Sequence, residues 1–513
     1  MTDNQRGARA LVGRIHTGTE QGWVQAILVE GGRVTVVGSR EEVLSHAPAE
    51  VVVQDVGVVV PGFVDSHMHA LWLGRGASEF DVSEVPSVAD MLAQLREYAD
   101  SLEPGAWILG NGGYDEESVR ERRLPTIEEL DEAAGGRPLL LSRRAHDALT
   151  NSEALRRAGV DSTTPDPPGG HIQRGPGGAP TGLLLERSAA SIVEEVVPAP
   201  STEAAHGWLV EAYRQLRSVG ITAISDPALS PSEISFFVSA YHAGLMSVRT
   251  TVFPLGTANV DPYALEAAVV ATGIDECDPE VLRRGPVKIF LDGAGALGTA
   301  LRKEPWPGTT SAGIQATPTD VLESYAQWAW AEGGGLGIHA VGPEAVRLAV
   351  EVLGKVSGGA RWETGRVHLI HAYLEQDEAV MRKAADLGIG AALQPALYDV
   401  VRPEVTARLG PGADIVDASR WMAAGVLCGG GSDGPGCEFD PLEILPALEQ
   451  SIGRDRAIRF FTSDAARIVK ATAGTLLPGA PADYVELAGE WAVGTRAVRT
   501  KSVSALDDAS LSA

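Results

Sequence analysis

The chain has 513 residues, 44% of them apolar, and a formal net charge of −26. That apolar content excludes a disordered chain and supports a sizeable core, while the acidic surplus repels a polyanionic nucleic-acid partner. No run approaches the roughly 18 apolar residues of a membrane span, Met1 to Arg9 has no apolar signal-peptide core, and the three cysteines (Cys277, Cys428, Cys437) form no disulfide framework, so a cytoplasmic protein is expected.

The first sixty residues read as short strands. Ala26–Glu30, Arg33–Val37 and Val51–Gln54 are rich in β-branched residues, and Gly31-Gly32 marks a hairpin between the first two. Ser39 is placed to cap a short helix over Ser39–Ser45. From about residue 62 to 470 the pattern changes. Apolar runs at Pro138–Leu141, Ile221–Ser225, Val287–Leu291, Leu336–His339, Val367–Ile370, Ile389–Leu393 and Val426–Gly429 alternate with amphipathic stretches. Those stretches are Val88–Leu102, Ala204–Val219, Ser232–Ala243, Pro318–Glu332, Pro343–Leu353 and Asp377–Leu387. Continuous apolar strands separated by helices are the signature of parallel βα units.

The expected class is therefore α/β, a (β/α)8 TIM-like barrel over residues 61–470. A doubly wound sheet is the alternative, but no Gly-rich dinucleotide fingerprint follows an early strand. Residues 162–180 hold five prolines and five glycines and read as an irregular insertion. Gly474–Leu487 resembles the first sixty residues, so a small β-sandwich domain built from both chain ends, 1–60 and 471–513, is expected.

The eleven histidines carry more information than the 68 acids. His67 and His69 lie in Pro61–His69 (PGFVDSHMH), and a His-x-His pair at a strand's carboxyl end sends both rings to one side. Two neutral imidazoles on one side make half a site for a metal such as zinc. Lys288 lies inside the apolar run PVKIFL, where an ammonium is costly unless paired or chemically altered. His339 ends LGIH, His371 ends VHLIH, and Asp433 follows LCGGGS, each at the carboxyl end of a separate expected strand. His368 competes with His371, but the two point to opposite faces, so one alone is a ligand. His16, His46, His206 and His242 fall in peripheral segments and read as surface residues.

This ordered set, with PTIEEL, APTGLLLE, KIFLDG, HAVG, SDGP and GAPAD, resembles the metal-dependent amidohydrolase superfamily, in its YtcJ-like branch that includes N-substituted formamide deformylase. The resemblance covers nearly the whole chain. It implies that His67 and His69 hold one metal and His339 and His371 a second. Lys288 would then be N6-carboxylated and bridge them, and Asp433 would bind metal and act as general acid/base. It favours His371 over His368 through the following Ala372, although Ile370 stands where relatives have Glu. An unmodified Lys288 in a mononuclear site remains open, so one or two Zn2+ per chain are expected. His146 in RRAHDA is similar to a histidine that relatives place near the substrate, and is expected to donate to the substrate carbonyl. His171, Trp72, Tyr114 and Trp306 are candidates on the substrate side, and Asp292 is a candidate support for the ligands.

The implied reaction is hydrolysis of a non-peptide C–N bond in an N-acyl or N-formyl amine by metal-activated hydroxide. The alternatives are a cyclic amide, carbamate or ester hydrolase, a deaminase, or a catalytically silent metal-binding scaffold. The expected partner is a small-molecule amide, with neither nucleic acid nor membrane, and a homodimer is expected because twofold assemblies are commonest.

Overall fold

The structure is a computed structural model, and it describes residues 7–82, 85–112, 119–143, 147–167, 170–185, 187–488 and 497–502. The chain divides into two compact units, Met1–Leu73 with Leu209–Ala513, and Gly74–Trp208.

Nine parallel strands make the centre of the first unit. One sheet contains β1 (Phe63–Asp65), β2 (Ile221–Leu229), β3 (Arg249–Pro254) and β4 (Leu282–Arg284), in the order β4-β3-β2-β1. The other contains β5 (Val287–Phe290), β6 (Leu336–Ala340), β7 (Val367–His371), β8 (Gly390–Leu393) and β9 (Cys428–Gly430), in sequence order. Almost every residue of these strands is buried, as parallel strands covered on both faces must be. The sheets are linked at both sides: a parallel bridge pairs Leu255 with Lys288, and Ser66 N donates to Gly430 O at 2.9 Å.

The helices start where their caps say they should. Ser230 and Glu233 form a reciprocal capping box ahead of Pro231–His242, and the Asp261 and Asp377 carboxylates cap Pro262–Val270 and Glu378–Asp386. Among the described residues no helix is long and apolar enough to cross a membrane.

Both chain ends enter one six-stranded sheet. Its order is Ala497–Ser502, Asp483–Leu487, Val52–Pro61, Arg9–His16, Trp23–Glu30, Arg33–Gly38, with one parallel pairing, between Arg9–His16 and Val52–Pro61. The expected sandwich is replaced, among the described residues, by this single sheet. The reason is the helix Arg40–His46: Ser39 caps it as predicted, and its Val43 and Leu44 cover Ala10, Val12, Ala26 and Leu28, the face a second sheet would occupy.

His16 is a correction to the sequence reading, since it is fully buried rather than on the surface. Its Nδ1 accepts from Gly18 N at 3.0 Å, and its ring meets Trp23 edge-on at 5.0 Å. Burial pushes its pKa from 6.5 down to about 4, against the pull of Asp455. The folded pKa lies below the unfolded one, so the contribution is whole above 6.5 and is lost as pH falls towards 4. The full loss is about 3 kcal/mol. Urea midpoints measured from pH 7 to 4 should therefore fall less steeply in His16→Gln than in the native chain; equal slopes would remove His16 from the acid response.

The second unit has its own sheet and its own core. Its strand order is His171–Arg174, Pro180–Leu185, Asp147–Thr150, Leu139–Arg143, Ile108–Gly112, Phe80–Asp81, antiparallel through the first four strands and parallel after them. Met91, Leu95, Leu130, Leu139 and Leu141 fill one side of it. Val88–Ser101 and Leu139–Arg143 lie in this unit, because apolar periodicity identifies an element without saying which sheet it joins. The Pro/Gly-rich stretch is also less irregular than expected. A turn closed by Gly175 N donating to Ala179 O leaves His171–Arg174 free to pair as a strand.

Candidate metal centre

The turn after β1 carries His67 and His69, and the turn after β9 carries Asp433. Backbone hydrogen bonds lock the two turns together: Asp433 N donates to His67 O at 2.8 Å, and His69 N to Gly434 O at 3.0 Å. Gly431 permits this approach, since a Cβ there would lie 2.8 Å from the Cβ of His67. The result is a cluster of three donor groups, His67, His69 and Asp433, whose ligand atoms lie within 4.8 Å of one another. Asp433 Oδ1 is 3.3 Å from His67 Nε2 and 3.4 Å from His69 Nε2.

The strand ends next to them bring two more imidazoles. The His371 ring, at the end of β7, is 5.4 Å from that of His67 and 4.7 Å from that of His339, which lies on β6. Lys288, on β5, is 1% exposed, and its charge helps to depress the pKa values of His67, His339 and His371. His368 is buried with its ring 5.8 Å from Phe253 and neither ring nitrogen hydrogen-bonded, and burial, then Lys288, lowers its pKa. Ile370 packs among Phe253, Ala392, Ile468 and Val469.

The electrostatics favour neutral histidines. Burial, then Lys288, brings His67 to about 3 and His339 to about 4, and burial takes His371 well below its usual value. Burial also lowers Lys288 to about 7, with Asp433 opposing. Burial alone would raise Asp433, but hydrogen bonds from His67 and His69 overcome it and hold the carboxyl well below its usual range. Neutral imidazoles beside an ionised carboxylate are the donor set that a zinc-like ion takes. The buried Nδ1 atoms of His67 and His339 have no hydrogen-bond partner, as expected of nitrogens that await another ligand. These residues fit a divalent metal.

Several supporting residues escaped the sequence reading. Asp65, at the end of β1, accepts from His67 N at 2.9 Å and Ser432 N at 3.0 Å, so one carboxylate holds both ligand-bearing turns. Asp226 accepts from Leu71 N at 3.1 Å and faces His69 Nδ1 at 3.9 Å. Asp292, which was anticipated, accepts from Leu301 N, Val341 N and Gly342 N and lies 3.8 Å from His339 Nε2. Burial raises all three carboxyls to about 7. Gln394 Oε1 lies 2.9 Å from His371 Nδ1, and its Nε2 donates to Ala392 O. That assigns the proton to Nδ1 and leaves Nε2 of His371 with its lone pair free. His371 (φ 72), Ala372 (φ 45) and Asp433 (φ 61) all sit in the left-handed region, where side chains of L-residues are strained.

The substrate-side candidates disperse. Trp72 is half exposed and stacks on His69, with ring centroids 4.2 Å apart. Trp306 is buried, its Nε1 donating to Ala300 O. His171 belongs to the second unit, where its Nδ1 pairs with Asp166 at 2.6 Å. Tyr114 and His146 lie outside the described residues. Phe290, which the sequence reading passed over, is 5.3 Å from His339, ring to ring.

Comparison with known proteins fits this geometry. The model of the Amidohydrolase family matches residues 57–501. The protein YtcJ of Bacillus subtilis (strain 168) is 29% identical over 516 residues, covering 93% of each chain. The N-substituted formamide deformylase of Arthrobacter pascens is 27% identical over 477 residues, covering 85% of this chain and 84% of that one. The crystal structure of an uncharacterized metal-dependent hydrolase from Pyrococcus horikoshii OT3 superposes with a TM-score of 0.76 at 21% identity, over 93% of this chain and 97% of that chain, which is a likeness of fold.

Proposed function

The chain belongs to the amidohydrolase family, and from that membership we propose that it hydrolyses the C–N bond of a small N-acyl or N-formyl amine. The observation that carries the reading is the gathering of His67, His69 and Asp433 within 4.8 Å, with His339 and His371 in ring contact. The deformylase among its relatives supports the amide substrate.

His67 and His69 would hold one metal, and His339 and His371 a second, with an N6-carboxylated Lys288 between them; zinc suits these donors. A bound metal supplies an activated water near neutral pH and polarises the amide carbonyl. Asp433, ionised, accepts the proton of the attacking water and passes it to the departing nitrogen, so that a carboxylate and an amine leave. Asp65 keeps that carboxylate in register with His67. His146, outside the described residues, is proposed to donate to the substrate carbonyl oxygen.

The same reading extends to the scaffold. The two parallel sheets are one ring of eight strands, in the order β1-β2-β3-β5-β6-β7-β8-β9, supported by the Leu255–Lys288 bridge on one side and the Ser66–Gly430 hydrogen bond on the other. Residues 1–60 and 471–513 form a composite end domain, and the protein works in the cytoplasm as a homodimer.

A screen of N-formyl, N-acetyl, carbamate and cyclic amide substrates, with and without added zinc, tests the proposal. Linear amides should be hydrolysed, a chelator should abolish the activity, zinc should restore it, and metal analysis should find one to two ions per chain. Turnover by metal-free protein, or turnover confined to cyclic amides or carbamates, would overturn it.

A further inference from the structure

We propose that Trp72 and Phe290 set the specificity of this site, and that they select an amide carrying a planar, apolar group. The inference rests on the amide-hydrolase reading and adds the substrate class.

Six rings stand in a continuous row. Centroid separations are 4.2 Å from Trp72 to His69, 5.4 Å to His67, 5.4 Å to His371, 4.7 Å to His339 and 5.3 Å to Phe290. The four imidazoles form the inner part of the row and are largely withdrawn from solvent. The two carbocyclic end members are not: Trp72 is 51% exposed and Phe290 40%. By contrast, Trp306, Trp362, Trp421, Phe237 and Phe253 are buried. Leaving a Trp and a Phe open to water forfeits the gain from burying them, and open apolar surface beside a polar site marks a place where a ligand completes the burial.

Trp72 lies within 14° of parallel to His69, so the imidazole covers one indole face, and the residue is still 51% exposed. Phe290 has Lys288 Nζ 4.8 Å from its centroid and His339 tilted by 45° against it. Each ring therefore touches the metal-ligand cluster and keeps open apolar surface beside it for a guest. A ring face is best filled by another planar ring, through offset stacking beyond simple area burial.

The test compares three substrates with the same scissile bond: N-formyl phenethylamine, N-formyl 2-cyclohexylethylamine and N-formyl butylamine. The same series is repeated with the ring on the acyl side. The native enzyme should prefer the phenyl substrate to the butyl one by about tenfold in kcat/KM, and the cyclohexyl substrate should fall between them. Trp72→Leu and Phe290→Leu should each erode that preference, chiefly through KM. Equal kcat/KM across both series, or a preference unchanged in both variants, would overturn the proposal. If no amide turns over, the functional reading fails, and binding decides the inference separately. N-formyl phenethylamine should quench tryptophan emission in the native protein and lose that effect in Trp72→Phe; quenching that persists in the variant would overturn the role of Trp72.

Discussion

Asp433→Asn should abolish turnover, with kcat/KM falling roughly 10²–10⁴-fold, while the melting temperature stays near that of the native protein. The carboxylate Oδ1 lies almost equally far from His67 Nε2 and His69 Nε2, at 3.3 and 3.4 Å, and these contacts keep it ionised despite its burial. An amide of the same shape preserves the side-chain volume but cannot take a proton. The backbone argues for Asn as the probe. Asp433 has φ 61, a conformation that Asn tolerates better than most residues, so the turn is not strained by the substitution. Steady-state kinetics beside a thermal melt separate the two effects. A folded Asp433→Asn variant with native turnover would remove this residue from proton transfer.

The largest expected change in stability lies elsewhere. Arg249, at the start of β3, donates from Nε to Asp483 Oδ2 at 2.7 Å and from Nη1 to Glu280 O at 2.6 Å. Both charged residues are buried, Arg249 at 6% exposure and Asp483 at 4%. Asp483 opens a strand of the end sheet, so this pair fastens that sheet to the parallel strands. Arg249→Met leaves a carboxylate buried without its cation, and should cost about 3–5 kcal/mol of unfolding free energy in a urea titration. Arg249→Met with Asp483→Leu should recover most of that loss, because the double variant leaves no charge behind. A single variant within about 1 kcal/mol of the native protein would show that water reaches the Asp483 carboxyl.

The line of ligand candidates was legible in the sequence because chemistry and position coincide there. His67, His69, His339, His371 and Asp433 are polar residues at the ends of apolar runs and Lys288 lies inside one, and the structure gathers the first five by direct distances and Lys288 by its electrostatic influence. Asp65 and Asp226 were not legible. An aspartate in a sequence reads as a solvated charge, and only burial among specific amides reveals it as a clasp. Gln394 and Phe290 carry no local signal at all. The unit at 74–208 was missed for a different reason: the run Leu139–Arg143 looks like a barrel strand, and its partners, Ile108–Gly112 and Asp147–Thr150, are fixed by tertiary pairing. His16 reads as peripheral because it ends the first strand, yet Trp23 and the turn at Gly18 enclose it.

The clasp made by Asp65 has a consequence for how the protein comes into being. Asp65 and Ser432 are 367 positions apart, so the first ligand turn is made early in synthesis and its counterpart near the end. Closing a loop of that length from a flexible chain costs roughly 5 kcal/mol of entropy. Only ordering of the intervening strands removes that cost, so the two turns meet after the rest of the parallel strands have assembled. A nascent chain thus presents His67 and His69 without Asp433 beside them, and gains that carboxylate only when β9 is in place.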